Sequence, residues 1–291
     1  MKVILVGYEG SKKILSASSY FLKKYLVEPE DNFDIYFLNY GSFSQKLFCG
    51  SYVELDSEQK GGVKSWSKYI VNHLETIKDE FIIFALDDYF LSKSINLKSY
   101  NLLLDLMVSN QDIDCSKLGI SPTYRPREYD IFITADSTYH NDVVENDIFM
   151  LKDNITYTAS TQYCIWRREV LIDILNHPSI KGPWEFEIEG SRKFNNGQRV
   201  IGSKKSPFRY PECSSLSARH KDKVSVLGNH TNDIEYLIQM GYLNESELIM
   251  GQWRGKVESY SEYKDNPIDS ITSNCNDPFY YKMMINKCLE T

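Results

Sequence analysis

The apolar positions of this chain fall in short continuous runs, separated by stretches in which apolar residues recur with helical spacing. The most apolar run covers residues 81–90 and reads Phe-Ile-Ile-Phe-Ala-Leu-Asp-Asp-Tyr-Phe. Its first six residues carry no charge, which favours a central strand covered on both faces. Two adjacent carboxylates, Asp87 and Asp88, follow where the strand should end. The sequence therefore predicts a central strand that leads directly into an acidic pair.

Strands and helices alternate in the residues before this strand. Residues 3–6 predict a first strand, residues 7–10 a loop with two glycines, and Ser11 the N-cap of a following helix. Residues 34–38 predict a second strand, and the spacing from Trp66 to Ile77 predicts a second helix. This alternation indicates an α/β fold: a mainly parallel central sheet flanked by helices, with a Rossmann-like nucleotide-binding half. Ligands of such sheets bind at the carboxyl ends of the strands, where Gly7, Tyr8, Asp87 and Asp88 are expected.

The second half of the chain is less regular. We expect a helix over 97–108, a strand over 117–120 and a loop-rich insertion over 123–154 that contains a strand at 130–134. This insertion is either a variable surface loop or part of an acceptor pocket. Further expectations are helices over 167–175, from Gly182-Pro183 and over 233–240, and a strand over 223–227. The pattern indicates one domain over 1–243, with halves of about 1–122 and 123–243, and a weakly structured or docked extension over 244–291.

Composition narrows the class of protein. Hydrophobic residues make up 42% of the 291 residues and charged residues 25%, as in ordinary globular proteins. The formal net charge of −7 argues against a nucleic-acid partner. Basic pairs such as Arg167-Arg168 are expected on a solvated surface, with contact to a diphosphate or an anionic lipid as the alternative. Six scattered cysteines and the lack of a membrane-length apolar run predict a cytoplasmic protein, with peripheral contact at the inner face of the plasma membrane left open.

Two acidic motifs carry the candidate chemistry. Asp87 and Asp88 repel each other when both are ionised, so a divalent metal that carries diphosphate oxygens would stabilise them. A helix cap or a turn is the alternative explanation of this pair. The second motif, Trp184-Glu185-Phe186-Glu187, follows Gly182-Pro183 at a predicted helix start. Its carboxylates could interact favourably with the positive end of the helix dipole, or one of them could accept a proton from a substrate.

In their order along the chain, these motifs resemble those of glycosyltransferases with the GT-A fold, in particular the bacterial enzymes that build surface polysaccharides. The resemblance covers residues 1–243. It implies that Asp88 binds Mn²⁺ or Mg²⁺, that Asp87 contacts the ribose or supports the metal ligand, and that Gly7, Tyr8 and Glu9 lie near the nucleotide base. His230 would be a further metal ligand, with His220 as the second choice.

The resemblance also assigns the second motif. Glu187 would be the catalytic base of an inverting reaction, with Glu185 as the alternative. Trp184 would stack on the acceptor sugar, and the alternative is that it is a core residue. The implied donor is a nucleotide sugar, with UDP-sugars favoured, and the implied acceptor is a saccharide or lipid-linked saccharide. Two other functions stay open: a sugar-phosphate nucleotidyltransferase, and a non-catalytic binding subunit of a polysaccharide assembly complex. The first would need a basic, glycine-rich phosphate loop, which Gly7-Tyr8-Glu9-Gly10 does not resemble.

Overall fold

A nine-stranded mixed sheet forms the centre of the computed structural model. The structure describes residues 1–7, 9–27, 32–55, 66–119, 129–131, 140–145, 147–152, 155, 157–194, 199–210, 224–225, 231–245, 248–253 and 256–259. Tyr8, His220 and His230 lie outside the described residues, as does the side chain of Glu9. The predictions for these residues therefore have no structural counterpart here.

The sheet has the strand order β3-β2-β1-β4-β8-β5-β9-β7-β6. Its strands are β1 (Lys2–Val6), β2 (Asp34–Tyr40), β3 (Ser51–Leu55), β4 (Phe81–Leu86), β5 (Ile113–Lys117), β6 (Tyr129–Ile131), β7 (Ile148–Leu151), β8 (Cys164–Arg167) and β9 (Arg199–Ser203). Seven of these nine strands run in the same direction, and β7 and β8 run against them. This arrangement confirms the predicted α/β class with a mainly parallel central sheet.

Helices cover both faces of the sheet. They are α1 (Leu15–Leu22), α2 (Trp66–Leu74), α3 (Leu97–Ser109), α4 (His140–Glu145), α5 (Arg168–Leu175), α6 (Pro183–Glu185), α7 (Ser191–Phe194) and α8 (Thr231–Gln239). A 3₁₀ turn, Glu9–Ile14, precedes α1, and a π-helical turn, Lys23–Val27, follows it. A second π-helical turn, Phe186–Gly190, joins α6 to α7, so residues 183–194 form one continuous helical segment.

Strand periodicity explains why the sheet is covered on both sides. In β4, Ile83 and Ala85 pack with the cluster that contains buried residues of α1, α3 and α8, while Ile82 and Phe84 pack with the cluster of α2 and α5. Neighbouring residues of a strand point to opposite faces, so an uninterrupted apolar run supplies two cores. The central strand predicted at residues 81–86 is therefore buried on both faces.

Several local predictions differ from the structure. The strand expected at 117–120 is Ile113–Lys117, and β3 was not predicted from the sequence. The region 123–154 contains α4 and β7 in addition to β6. Beyond residue 243, β11 (Leu248–Trp253) and β12 (Lys256–Ser259) form a small sheet with β10 (Val224–Ser225). Backbone pairing with distant strands, rather than local apolar patterning, establishes the strands among these elements.

Within the part of the chain that the structure describes, no helix has both the length and the apolar character needed to cross a bilayer.

Candidate active site

The carboxyl ends of β1 and β4 lie side by side, as parallel pairing requires. The backbone N–H of Asp87 donates to the carbonyl of Val6 (3.1 Å), and that of Gly7 donates to the carbonyl of Leu38 (2.9 Å). Gly7 and the acidic pair therefore meet at the sheet edge where ligands of α/β folds bind. The structure brings Gly7 next to Asp87, as expected from parallel pairing, and the role of these residues in one site stays a prediction.

Asp87 is a buried carboxylate with only 2% of its surface exposed. Its Oδ2 accepts hydrogen bonds from Ser11 Oγ (2.7 Å) and Asn39 Nδ2 (3.4 Å), and Asn39 Nδ2 also donates to Ser11 Oγ (2.9 Å). Burial raises the pKa of Asp87 to about 7, although the hydrogen bonds from Ser11, its own backbone and Asn39 act in the opposite direction. The structure thus places Asp87 in a polar network beneath the site.

This network explains why the first loop needs a glycine. A Cβ atom on Gly7 would lie 2.0 Å from Asp87 Oδ2 and 2.4 Å from Ser11 Oγ. Asp87 can hold the loop this closely only because residue 7 has no side chain. Ser11, predicted as a helix cap, instead donates its hydroxyl to this carboxylate.

Asp88 is less buried than Asp87 and lies in the turn directly after β4. One carboxylate at a strand end suits a divalent ion, because Mg²⁺ sites commonly combine one or two carboxylates with phosphate oxygens and water. Among the described residues, no three acidic, histidine or cysteine side chains cluster in a way that would hold a metal by themselves. A metal at Asp88 would therefore need further ligands from a substrate, such as diphosphate oxygens, or from water.

Glu187 lies in the π-helical turn of the segment 183–194 and is half-buried. Its Oε1 accepts hydrogen bonds from the backbone N–H of Thr161 (3.0 Å) and from Thr161 Oγ1 (2.7 Å). No described residue hydrogen-bonds to its other oxygen, Oε2. One oxygen of this carboxylate is thus fixed, while the other can meet a proton donor.

Thr161 also connects Glu187 to the acidic pair. The backbone N–H of Leu86, the residue before Asp87, donates to the carbonyl of Thr161 (2.9 Å). Because β8 runs antiparallel to β4, the residues before β8 approach the sheet at the carboxyl end of β4. The two predicted acidic motifs are therefore brought together through a residue that the sequence analysis did not identify.

The other residues of the second motif are more accessible. Trp184 is 71% exposed, so the alternative that it is a core residue is wrong. Glu185 is half-buried, and Glu189 pairs with Arg192 on the surface. Phe186 is fully buried and packs against Trp66, Phe84 and Trp166. The segment is thus anchored by Phe186 and presents Trp184 to solvent.

The basic pair Arg167-Arg168 has a structural role that the sequence prediction missed. Arg167 donates from Nε to the carbonyl of Ile113 (2.9 Å) and from Nη2 to the carbonyls of Met107 and Asn110 (2.6 and 3.2 Å). Arg168 similarly donates to the carbonyl of Asp79 (3.0 Å). The expected solvated basic surface is wrong for this pair, because both side chains are largely buried and bind backbone carbonyls, Arg167 at the end of α3 and Arg168 in the loop after α2.

The site includes Asn39, Ser11 and Thr161, for which no role in the site was predicted, and the three are not equally recognisable in the sequence. Asn39 is a fully buried amide in β2, and a polar residue inside an apolar strand could have marked it. Ser11 and Thr161 are ordinary hydroxyl residues in polar stretches, and nothing local distinguishes them from their neighbours.

No protein-family model matches the sequence, and no curated protein matches it either. Similar solved structures do exist. S. aureus TarS is 17% identical over 74% of this chain, with a TM-score of 0.42. A mannosyltransferase from Pyrobaculum calidifontis, solved with GDP-Man and Mn²⁺, is 10% identical over 68% of this chain, with a TM-score of 0.37.

A UDP-glucose pyrophosphorylase is also similar, at 10% identity over 72% of this chain and 91% of its own, with a TM-score of 0.40. The chain spans 36% of the TarS chain and 55% of the mannosyltransferase chain. These similar structures thus include a mannosyltransferase and a UDP-glucose pyrophosphorylase.

Proposed function

We propose that this protein is a metal-dependent, inverting glycosyltransferase that moves a sugar from a nucleotide-diphosphate sugar to a hydroxyl of a saccharide or lipid-linked saccharide, in cell-surface polysaccharide synthesis. The observation that carries the proposal is the chain of contacts from Asp87-Asp88 through Leu86 and Thr161 to Glu187. A site for a diphosphate and a site for a proton acceptor would thus adjoin at one sheet edge. Residues 1–122 would bind the donor and residues 123–243 the acceptor.

The chemistry requires a base, because a sugar hydroxyl is a poor nucleophile until its proton is removed. In this proposal Oε2 of Glu187 accepts that proton while the hydroxyl oxygen forms a bond to the anomeric carbon. The bond from that carbon to the diphosphate oxygen breaks, and the nucleoside diphosphate leaves with the electron pair. Glu185 is the alternative base, and exposed Trp184 would stack on the acceptor ring.

Asp88 would hold Mn²⁺ or Mg²⁺, which supplies positive charge to the departing diphosphate. Asp87 would act beneath it by fixing the loop that follows β1, through Ser11 and Gly7. The roles of Tyr8 and Glu9 near the base, and of His230 as a second ligand, remain predictions from the sequence. A UDP-sugar is the favoured donor.

A thermal-shift screen tests the donor site. UDP, GDP, CDP and dTDP are each added with Mn²⁺ and then with EDTA, since a ligand that binds only the native state raises its stability. We expect one nucleotide to raise the Tm in the presence of Mn²⁺, and Asp88→Ala to abolish that rise. Asp105→Ala, which changes an exposed carboxylate on α3, is the matched control and should keep it. No rise with any nucleotide would contradict the donor site.

Product analysis then separates the three functions. Acceptor-dependent release of a nucleoside diphosphate, lost in Glu187→Gln with nucleotide binding retained, is the expected result. Release of pyrophosphate from a nucleoside triphosphate and a sugar phosphate would instead identify a nucleotidyltransferase. Nucleotide-sugar binding without transfer to any acceptor would favour the binding subunit.

A further inference from the structure

The segment 157–163, here called the bridge segment, lies between the acidic pair and the helical segment 183–194. It contacts the helical segment at two points. Thr161 donates twice to Glu187 Oε1, and the backbone N–H of Ala159 donates to Ser191 Oγ (3.0 Å). Glu187 and Ser191 are four residues apart, so both lie on the helical face that meets the bridge segment.

Close packing supports these two contacts. A Cβ atom on Gly190 would lie 3.3 Å from the Cβ of Ala159, so the small residue lets the helical segment approach the bridge segment closely. Gly190, Ala159 and Thr161 are all buried. The hydrogen bonds to Glu187 are therefore held in a packed interface.

The bridge segment is itself anchored to the sheet. Buried Lys117, at the end of β5, donates from Nζ to the carbonyl of Tyr157 (3.1 Å). The hydroxyl of Tyr163 donates to the carbonyl of Tyr89 (3.0 Å), directly after the acidic pair. Together with the bond from Leu86 to Thr161, these contacts fix the bridge segment relative to β4.

We propose that Thr161 is a positioning residue that sets the place and orientation of the Glu187 carboxylate relative to the acidic pair. This inference rests on the proposed function for its catalytic consequence. Thr161 is 2% exposed, and its backbone joins β4 while its hydroxyl and N–H hold Oε1. Two donors on one oxygen restrict the rotamer of the Glu187 carboxylate and leave Oε2 without a hydrogen bond from the described residues. The reaction rate depends strongly on this placement, because a small displacement of the catalytic base lowers the rate considerably.

The test compares Thr161→Val, Thr161→Ser and Thr158→Val. The valine at 161 removes the hydroxyl but keeps the volume and the backbone N–H, and the serine restores the hydroxyl. Thr158 is a matched control, because its buried hydroxyl lies in the same segment but donates to the carbonyl of Ile155 (2.6 Å). Hydrogen–deuterium exchange of peptides from 183–194 is the first readout and does not require turnover.

We expect faster exchange within 183–194 in Thr161→Val, and exchange at the wild-type rate in Thr161→Ser and Thr158→Val. The second readout is the transfer rate: kcat should fall about tenfold in Thr161→Val with the donor Kd unchanged, and serine should restore most of it. Unchanged exchange in Thr161→Val, or an equal effect of Thr158→Val, would overturn the positioning role. If exchange is faster in Thr161→Val but the wild-type protein transfers no sugar, the positioning role stands and the proposed function is refuted.

Discussion

Ser11 Oγ donates a 2.7 Å hydrogen bond to Oδ2 of Asp87, across 76 residues of sequence. This contact joins the turn after β1 to the end of β4 within the buried part of the sheet edge. It also distinguishes Asp87 from its neighbour Asp88, which the sequence alone does not do. Asp87 is almost fully buried and has protein partners on one oxygen, whereas Asp88 lies in the turn after β4 and is only partly buried.

The first prediction concerns the stability of these two positions. Asp87→Ala should lower the free energy of unfolding by about 1–3 kcal/mol, because the buried donors of Ser11 and Asn39 lose their acceptor. Asp88→Ala should cost less, about 0.5 kcal/mol, because Asp88 is only partly buried in the turn after β4. Urea denaturation measures both. Equal losses in the two variants would contradict the division of roles.

Trp184 should matter for acceptor binding but not for folding. Trp184→Ala removes a side chain that is 71% exposed, so the midpoint of thermal unfolding should stay near that of the wild type. Loss of ring stacking should raise the acceptor KM roughly two- to tenfold. Trp184→Phe keeps an aromatic face and should recover most of the affinity. An unchanged acceptor KM in Trp184→Ala would exclude the stacking role.

Arg167 should contribute to stability through its backbone contacts. Arg167→Met keeps an apolar stem beside Phe81 but removes the donors to the carbonyls of Met107, Asn110 and Ile113. We expect a loss on the order of 2 kcal/mol in the free energy of unfolding. The control is Arg192→Met, which breaks only an exposed pair with Glu189 and should cost less than about 1 kcal/mol. Similar losses in both variants would argue against the capping role of Arg167.

Half-buried His73 should make the folded protein less stable at acidic pH. Burial, with a smaller contribution from Lys2, lowers the pKa of His73 below its usual 6.5, and its ring lies 5.7 Å from that of Tyr36. The unfolded chain then binds the proton more readily than the folded one. The stability from neutral His73 is complete above pH 6.5 and is lost as the pH falls through the folded pKa.

The urea concentration at the midpoint of unfolding, measured at pH 7.5 and at pH 5.5, tests the direction of this pH effect. The drop between the two pH values should be smaller in His73→Gln than in the wild type. His177→Gln, at an exposed histidine, should follow the wild type. A drop in His73→Gln as large as that of the wild type would show that other groups cause the acid sensitivity.

The α/β class, the buried central strand and the position of Asp87 and Asp88 at its end could all be predicted from the sequence. These features depend on local properties: an apolar run long enough for a strand buried on both faces, and polar side chains directly after it. The helix start at Gly182-Pro183 is equally local, because proline favours the first turn and the apolar Phe186 follows one turn later.

The residues that surround these carboxylates could not be predicted from the sequence, because they come together only in the folded chain. Thr161 reaches Glu187 from 26 residues away, and Ser11 and Asn39 reach Asp87 from 76 and 48 residues away. Such contacts depend on strand order and on the insertion of antiparallel β8 beside β4, which no local period specifies. Hydroxyl and amide side chains have no strong pattern of their own, so their partners are set by the packing of distant segments.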